Sequence, residues 1–255
     1  MRGLKSFFIA VSMYSKIPVP QFAWKEEDMR YIFCFFPWVG GVVGACVYLW
    51  HLLSGMLEVG QLGRVLILAA VPLLLTGGIH IDGFMDTMDA LHSYQPREKK
   101  LEILKDSHIG AFAVIMLASY GMVFLAALSE VRSLPNVRVV CAGFFLSRCL
   151  SGISAVSFPL AKKEGMLFAF ADSSQKRIVK AALYLQALLC IGCMLFWSPR
   201  AGGLAAAVAL LVFVFYYFHS KKVFGGVTGD TAGYFLCICE AGMIGAAAVC
   251  NILGW

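Results

Sequence analysis

The stretch RVLILAAVPLLLTGGIHIDGFMDTMDAL, Arg64–Leu91, joins two kinds of sequence that rarely meet. Its first half is apolar enough to lie in a membrane. Its second half sets Asp82, Asp86 and Asp89 within eight residues, and no Lys or Arg stands between Gly77 and Gln95. The first half decides the fold and the second asks what such a fold is for.

The apolar half is one of seven. Of 255 residues, 60% are hydrophobic and 14% charged, and the mean hydropathy is +0.79. A soluble domain averages about 45–50% apolar and about 25% charged. No single water-facing shell encloses that excess. The expected fold class is an all-α polytopic membrane bundle, with the whole chain, 1–255, as one integral membrane domain. Spans are expected near 33–53, 64–80, 110–129, 137–158, 178–197, 201–219 and 233–253. The runs are continuous rather than alternating, which argues against strands. The N-terminal FFIAVSMY, Phe7–Tyr14, is too short to cross. It has no small-residue cleavage site behind it, so an interfacial or re-entrant segment is expected, ended by the Pro18-Val19-Pro20 turn.

Charge supports this count. With the N-terminus inside, 16 of the 21 Lys and Arg fall on inside segments and four outside. Arg148 sits within a span. The positive-inside rule accounts for the basic excess, and no nucleic-acid partner follows from it. The nine Cys fall mostly within spans, including the Cys190/Cys193 pair, where packing is expected rather than zinc or disulfides.

Polar chemistry gathers on one face, in segments 81–109, 159–177 and 220–232. On a helix, Asp82, Asp86 and Asp89 share one stripe, since residues three and four apart are neighbours. Like charges so placed destabilise a helix, and more so beside lipid. A hard divalent cation such as Mg²⁺, held by Asp82, Asp86 and Asp89, would neutralise them; the plain alternative is a solvated acidic helix end. His80 is a candidate acid, base or charge partner, or a packing residue. Gly77, Gly78 and Gly83 suit tight turns and close approach of a phosphate or another helix. In REKKLEILKDSHIGAFA, Arg97–Ala113, an interfacial helix precedes Asp106, which is a further metal ligand or, with Ser107, the cap of the next helix. In FGGVTGDTAGYFLCICE, Phe224–Glu240, the residues Gly226, Thr228, Gly229 and Asp230 form an anion-binding nest or a helix cap. Arg148 and Glu240, both inside spans, are expected to pair or to share a polar cavity. Lys162 and Lys163 stand ready for phosphates, or serve topology alone.

Together GGIHIDGFMDTMDAL, KLEILKDSHIGAFAV, SRCLSGISA, PLAKKEGM and FGGVTGDTAGYFLCICE, with SKIPVP before them, resemble the adenosylcobinamide-GDP ribazoletransferase (cobalamin-5′-phosphate synthase) family in content and order. The resemblance runs from about Ser15 to about Gly245. Lys16 and Ala90 depart from it, where Arg and Gly are common. The resemblance implies a Mg²⁺-dependent enzyme of the bacterial inner membrane with its site facing the cytoplasm. Such enzymes join adenosylcobinamide-GDP to α-ribazole, or its 5′-phosphate, and release GMP. On that reading Mg²⁺ on Asp82, Asp86 and Asp89 meets the diphosphate. Asp106 or Asp230 binds a second ion or takes the hydroxyl proton. Gly78, Gly83, Arg148, Lys163, Gly226, Thr228, Gly229 and Glu240 contact substrate. The bilayer is a partner, and self-association or docking with other enzymes of B12 assembly is compatible with the sequence.

Three other readings stay open. CDP-alcohol phosphotransferases place Ala-Arg after the first Asp-Gly, where Phe84-Met85 stand here. Aromatic prenyltransferases carry two Asp-rich motifs, whereas the second here is Gly-rich. A cation-coupled transporter calls for carboxylates near the midplane, and these lie mostly at one edge.

Overall fold

The computed structural model describes residues 2–20 and 23–255, and it is a helical membrane bundle. Among the described residues there is no strand, only an isolated bridge between Leu160 and Val227. Six helices are long and apolar enough to cross a membrane: α3 (Ile32–Met56), α7 (Ala111–Glu130), α8 (Leu134–Ser157), α10 (Lys176–Trp197), α11 (Pro199–Val223) and α12 (Gly229–Ile252). Each falls on an expected span. Shorter pieces complete the chain: α1 (Arg2–Tyr14), α2 (Glu26–Met29), α4 (Gln61–Thr76), α5 (Ile79–His92), α6 (Arg97–Ile103) and α9 (Met166–Ser173).

The expected span 64–80 needs correction. It stops at Thr76, and α4 and α5 meet at a 93° bend. The cause is local. Gly77 (φ +66) and Gly78 (φ +79) both sit in the left-handed region, which costs Gly little and other residues more. Their N–H groups both donate to Leu73 O and close the helix. The Lys16 N–H donates to Leu75 O at 2.7 Å, and the Lys16 side chain lies where a Cβ on Gly77 would project.

The N-terminal segment is, as expected, too short to cross. It is a helix docked into the bundle, with Ile9 and Ala10 fully buried and α3 as its main neighbour. It ends at Tyr14, before the Pro18-Val19-Pro20 turn, where the Ser15 hydroxyl donates to Val11 O.

The most buried helix is α8. Of its apolar segment 83% is buried, against 11% for peripheral α7. In lipid, helices gain little from burying apolar surface against each other, so packing and polar contacts hold them. The expected Arg148–Glu240 pair is one of those contacts. Arg148 Nη1 donates to Glu240 Oε1 at 2.8 Å and to Phe144 O at 2.8 Å, with the Arg148 side chain 1% exposed. The Ser147 hydroxyl donates to the same carboxylate oxygen at 2.8 Å. This cluster ties α8 to α12. All nine cysteines are free.

Because the spans alternate in direction, the start of α7, the ends of α8 and α11 and the start of α12 share one face. The segments 93–110, 158–175 and 224–228 join them there, with α6 and α9.

Candidate active site

The helix α5 has two faces. Gly83, Phe84, Thr87 and Met88 are buried, chiefly against α12. Asp82, Asp86 and Asp89 keep to the other, more open side, as the helical period expects. The close approach of α5 to α12 depends on small residues. A Cβ at Gly83 would stand 2.9 Å from Asp230 Cα, and one at Gly233 would stand 2.8 Å from His80 O. Gly83 therefore brings Asp230 up beside the acidic stripe. The carboxylates of Asp82, Asp230 and Asp89 all lie within electrostatic reach of Asp86.

Asp89 has a different task from its neighbours. Its two oxygens accept the N–H groups of Gly110 (2.6 Å) and Ala113 (2.8 Å), the unsatisfied donors that open α7. A carboxylate at a helix N-terminus also opposes the helix dipole favourably. This replaces the expected Asp106-Ser107 cap. Asp106 instead accepts from the His108 backbone and ring, is exposed, and is not among the carboxylates that act on Asp86. Those two hydrogen bonds hold its carboxyl below the ordinary range, against a small opposing effect of burial.

Asp82, Asp86 and Asp230 join no ion pair among the described residues. Asp230 has a long 3.4 Å contact from the Thr228 hydroxyl. Among the described residues no three His, Cys, Asp or Glu side chains converge on one point as a cage. The donor set still fits Mg²⁺, which takes one or two carboxylates and leaves its other positions to phosphate oxygens and water.

Two cavities meet at Asp230. The first, about 450 Å³, is walled by Lys105, Lys162, Glu164, Thr228, Gly229 and Asp230. Its floor is set by the Gly-rich loop. Val227 N–H donates to Pro159 O at 2.8 Å, and a Cβ at Gly226 would collide with that carbonyl. Thr228 caps α12, accepting from Thr231 N–H at 3.1 Å, so the capping alternative for this motif is realised. Lys162 donates to Leu101 O at 2.9 Å. Burial, then the neighbouring Lys105, lowers its ammonium below the ordinary lysine range, while Asp230 pulls the other way. Of the two expected lysines, Lys162 lines the cavity and Lys163 is exposed beside it.

The second cavity, about 350 Å³, runs inward from Asp82 and Asp230 to His80. Its walls are aromatic: Tyr14, Phe33, Phe36 and Phe170. The sequence reading did not find this cavity, since its walls come from six separated helices. His80 Nε2 is buried without a hydrogen-bond partner. Gly78 shapes the bend before this site. Arg148 and Glu240 face a third cavity, of about 270 Å³, deeper in the bundle.

Fold and site together define a polytopic helical membrane protein whose unpaired carboxylates, lysines and cavities gather at one face. The CobS model, described as cobalamin-5-phosphate synthase, matches residues 6–248. An adenosylcobinamide-GDP ribazoletransferase of Lachnoclostridium phytofermentans is 41% identical over 98% of this chain and 95% of its own. Relatives of the same name from Clostridium perfringens strain ATCC 13124 (31% identical; 92% and 94% covered) and Desulfitobacterium hafniense strain Y51 (30%; 91% and 92%) agree. No solved structure matches. The chain belongs to the cobalamin-5-phosphate synthase family: it is a multi-pass membrane enzyme, a transferase of cobalamin biosynthesis.

Proposed function

We propose that this enzyme joins adenosylcobinamide-GDP to α-ribazole, or its 5′-phosphate, at the cytoplasmic face of the bacterial inner membrane. The observation that carries the reading is the meeting of Asp82 and Asp86 with Asp230 beside a lysine-lined cavity, with no ion pair to any of the three carboxylates among the described residues. A diphosphate with a divalent ion supplies the charge this group lacks, as phosphoryl transfer demands.

In the reaction a ribazole hydroxyl oxygen bonds to the phosphorus next to the cobinamide arm. The bridging P–O bond breaks, and its electrons leave with GMP. The hydroxyl proton is lost to a base. Asp230 stands where the acceptor and the diphosphate would meet, whereas Asp106 points to solvent; this favours Asp230 as that base. Asp82 and Asp86 would hold Mg²⁺. When bound, Mg²⁺ neutralises phosphate charge and steadies the leaving group. Lys162 and Lys105 line the cavity suited to the guanosine phosphates. Arg148 and Glu240, paired with each other, act on substrate through the bundle's shape. The basic excess on the same face supports its cytoplasmic placement.

The test is GMP release from purified protein given adenosylcobinamide-GDP, α-ribazole and Mg²⁺. Wild-type protein should yield GMP and an equal amount of corrinoid product only when Mg²⁺ is present. Asp82→Asn should lower kcat by about 100-fold or more. Undiminished turnover by a folded variant would remove Asp82 from the mechanism. No GMP from folded wild type would end the transferase reading.

A further inference from the structure

We infer that the aromatic cavity between α1, α3, α5, α8, α9 and α12 is the subsite for the base of the acceptor nucleoside, a flat benzimidazole-type ring. The inference rests on the ribazoletransferase reading and gives the two cavities different occupants.

Size limits the choice. At about 350 Å³ the cavity lies within the range of small-molecule pockets, about 300–1,000 Å³. A corrin ring with its amide side chains does not enter it. Three flat rings among the substrates remain: the ribazole base, the guanine and the adenine of the adenosyl group.

Chemistry separates the base from the two purines, since adenine too carries an amine and several ring nitrogens around its edge. Guanine presents several donors and acceptors around its edge, and burying them without partners is costly. The cavity offers mostly carbon. Tyr14 and Phe36 lie 4.2 Å apart between centroids, and Phe33 and Phe170 meet edge to face at 6.5 Å. Ser151 and Ala155 keep the α8 side shallow. A benzimidazole carries one free ring nitrogen, an acceptor. At its inner end stands His80, which also borders the deeper cavity beside Arg148 and whose Nε2 is packed without a hydrogen-bond partner. With its proton on Nε2, His80 donates to the one acceptor of a benzimidazole, whereas a purine edge asks for several partners at this inner end. Aromatic walls also suit a flat π system.

Position agrees. With the base inward against His80, the attached ribose reaches the mouth at Asp82 and Asp230, which line the same cavity. The guanosine phosphates then occupy the other cavity, where Lys105 and Lys162 stand. The two compartments share Gly229 and Asp230, so acceptor hydroxyl and phosphorus meet there.

Two variants change the cavity from opposite sides. Phe170→Ala removes a wall on peripheral α9, and Ala155→Leu fills the α8 side. Each should raise the KM for α-ribazole by about tenfold while the KM for adenosylcobinamide-GDP stays within about twofold. A rise confined to adenosylcobinamide-GDP would place one of its purines here and overturn the assignment. Unchanged KM values for both substrates would also overturn it, with the transferase reading intact. Wild-type protein without product would overturn that reading itself. A measurement free of folding effects uses wild-type protein and an azido-benzimidazole riboside under light. Adducts on Tyr14, Met166 or Phe170 are expected. Adducts confined to Lys105 and Lys162–Glu164 would contradict the proposal.

Discussion

At the residue scale, three aspartates of one stripe divide into two kinds. Asp89 has both oxygens satisfied by backbone N–H groups at the start of α7, while Asp82 and Asp86 join no ion pair among the described residues. Their substitutions should therefore shift stability in opposite directions. Asp89→Ala leaves two helix-opening donors without their acceptor and should cost about 1–2 kcal/mol. Asp82→Asn removes a like-charge neighbour and should gain about 0.2–0.5 kcal/mol without Mg²⁺. Thermal unfolding in detergent with a chelator checks both; equal destabilisation by the two variants would refute the division. The sequence places all three carboxylates on one face by period alone, and that placement holds. It does not distinguish their tasks. The partners of Asp89 are main-chain groups of Gly110 and Ala113, 21 and 24 residues on, and any residue but proline offers the same N–H. The one hint is negative: α7 opens at Gly110-Ala111 with no side-chain cap of its own.

At the scale of elements, long spans are legible because their cause is local. An uninterrupted apolar run of about 20 residues has to be helical in lipid, where backbone groups find no water. The α4–α5 break is partly legible. Gly77-Gly78 marks a place where the helix can stop, but two glycines inside an apolar run also occur in straight spans. What settles the outcome is tertiary: Lys16 fills the space at Gly77, and α5 turns aside to pack on α12. The aromatic cavity was not legible, because Tyr14, Phe33, Phe36 and Phe170 each read as ordinary apolar packing residues in their own helices. Gly77→Ala tests the bend. Its left-handed φ should cost about 1–2 kcal/mol, and the new Cβ must displace the Lys16 stem. The expected result is a lower melting temperature with a larger loss of turnover, since α5 carries Asp82 and Asp86. Full activity and full stability would mean that α5 does not depend on that turn.

At the scale of the molecule, the arrangement separates scaffold from chemistry by depth. The Arg148–Glu240 pair lies in the interior, where breaking one partner of a buried pair costs about 3–5 kcal/mol and holds α8 to α12. The start of that same α12 carries Thr228, Gly229 and Asp230 to the membrane face, against Gly83 of α5. One helix thus links the buried pair to the reacting end, and the two cavities that share Asp230 both border segment 158–175. A water-soluble nucleotide can reach such a site from only one side. Trypsin should therefore cut after Lys162 or Lys163, in the exposed segment between α8 and α9, when added to inside-out membrane vesicles. Right-side-out vesicles should protect that segment. Externally supplied adenosylcobinamide-GDP should protect it in the inside-out vesicles as well, because Lys162 lines the cavity beside Asp230. Cleavage there from the outer side would invert the topology and place the carboxylates away from the nucleotide pool, which the transferase reading does not survive. Cleavage from the inner side that substrate fails to slow would keep the topology and remove Lys162 and its cavity from substrate binding.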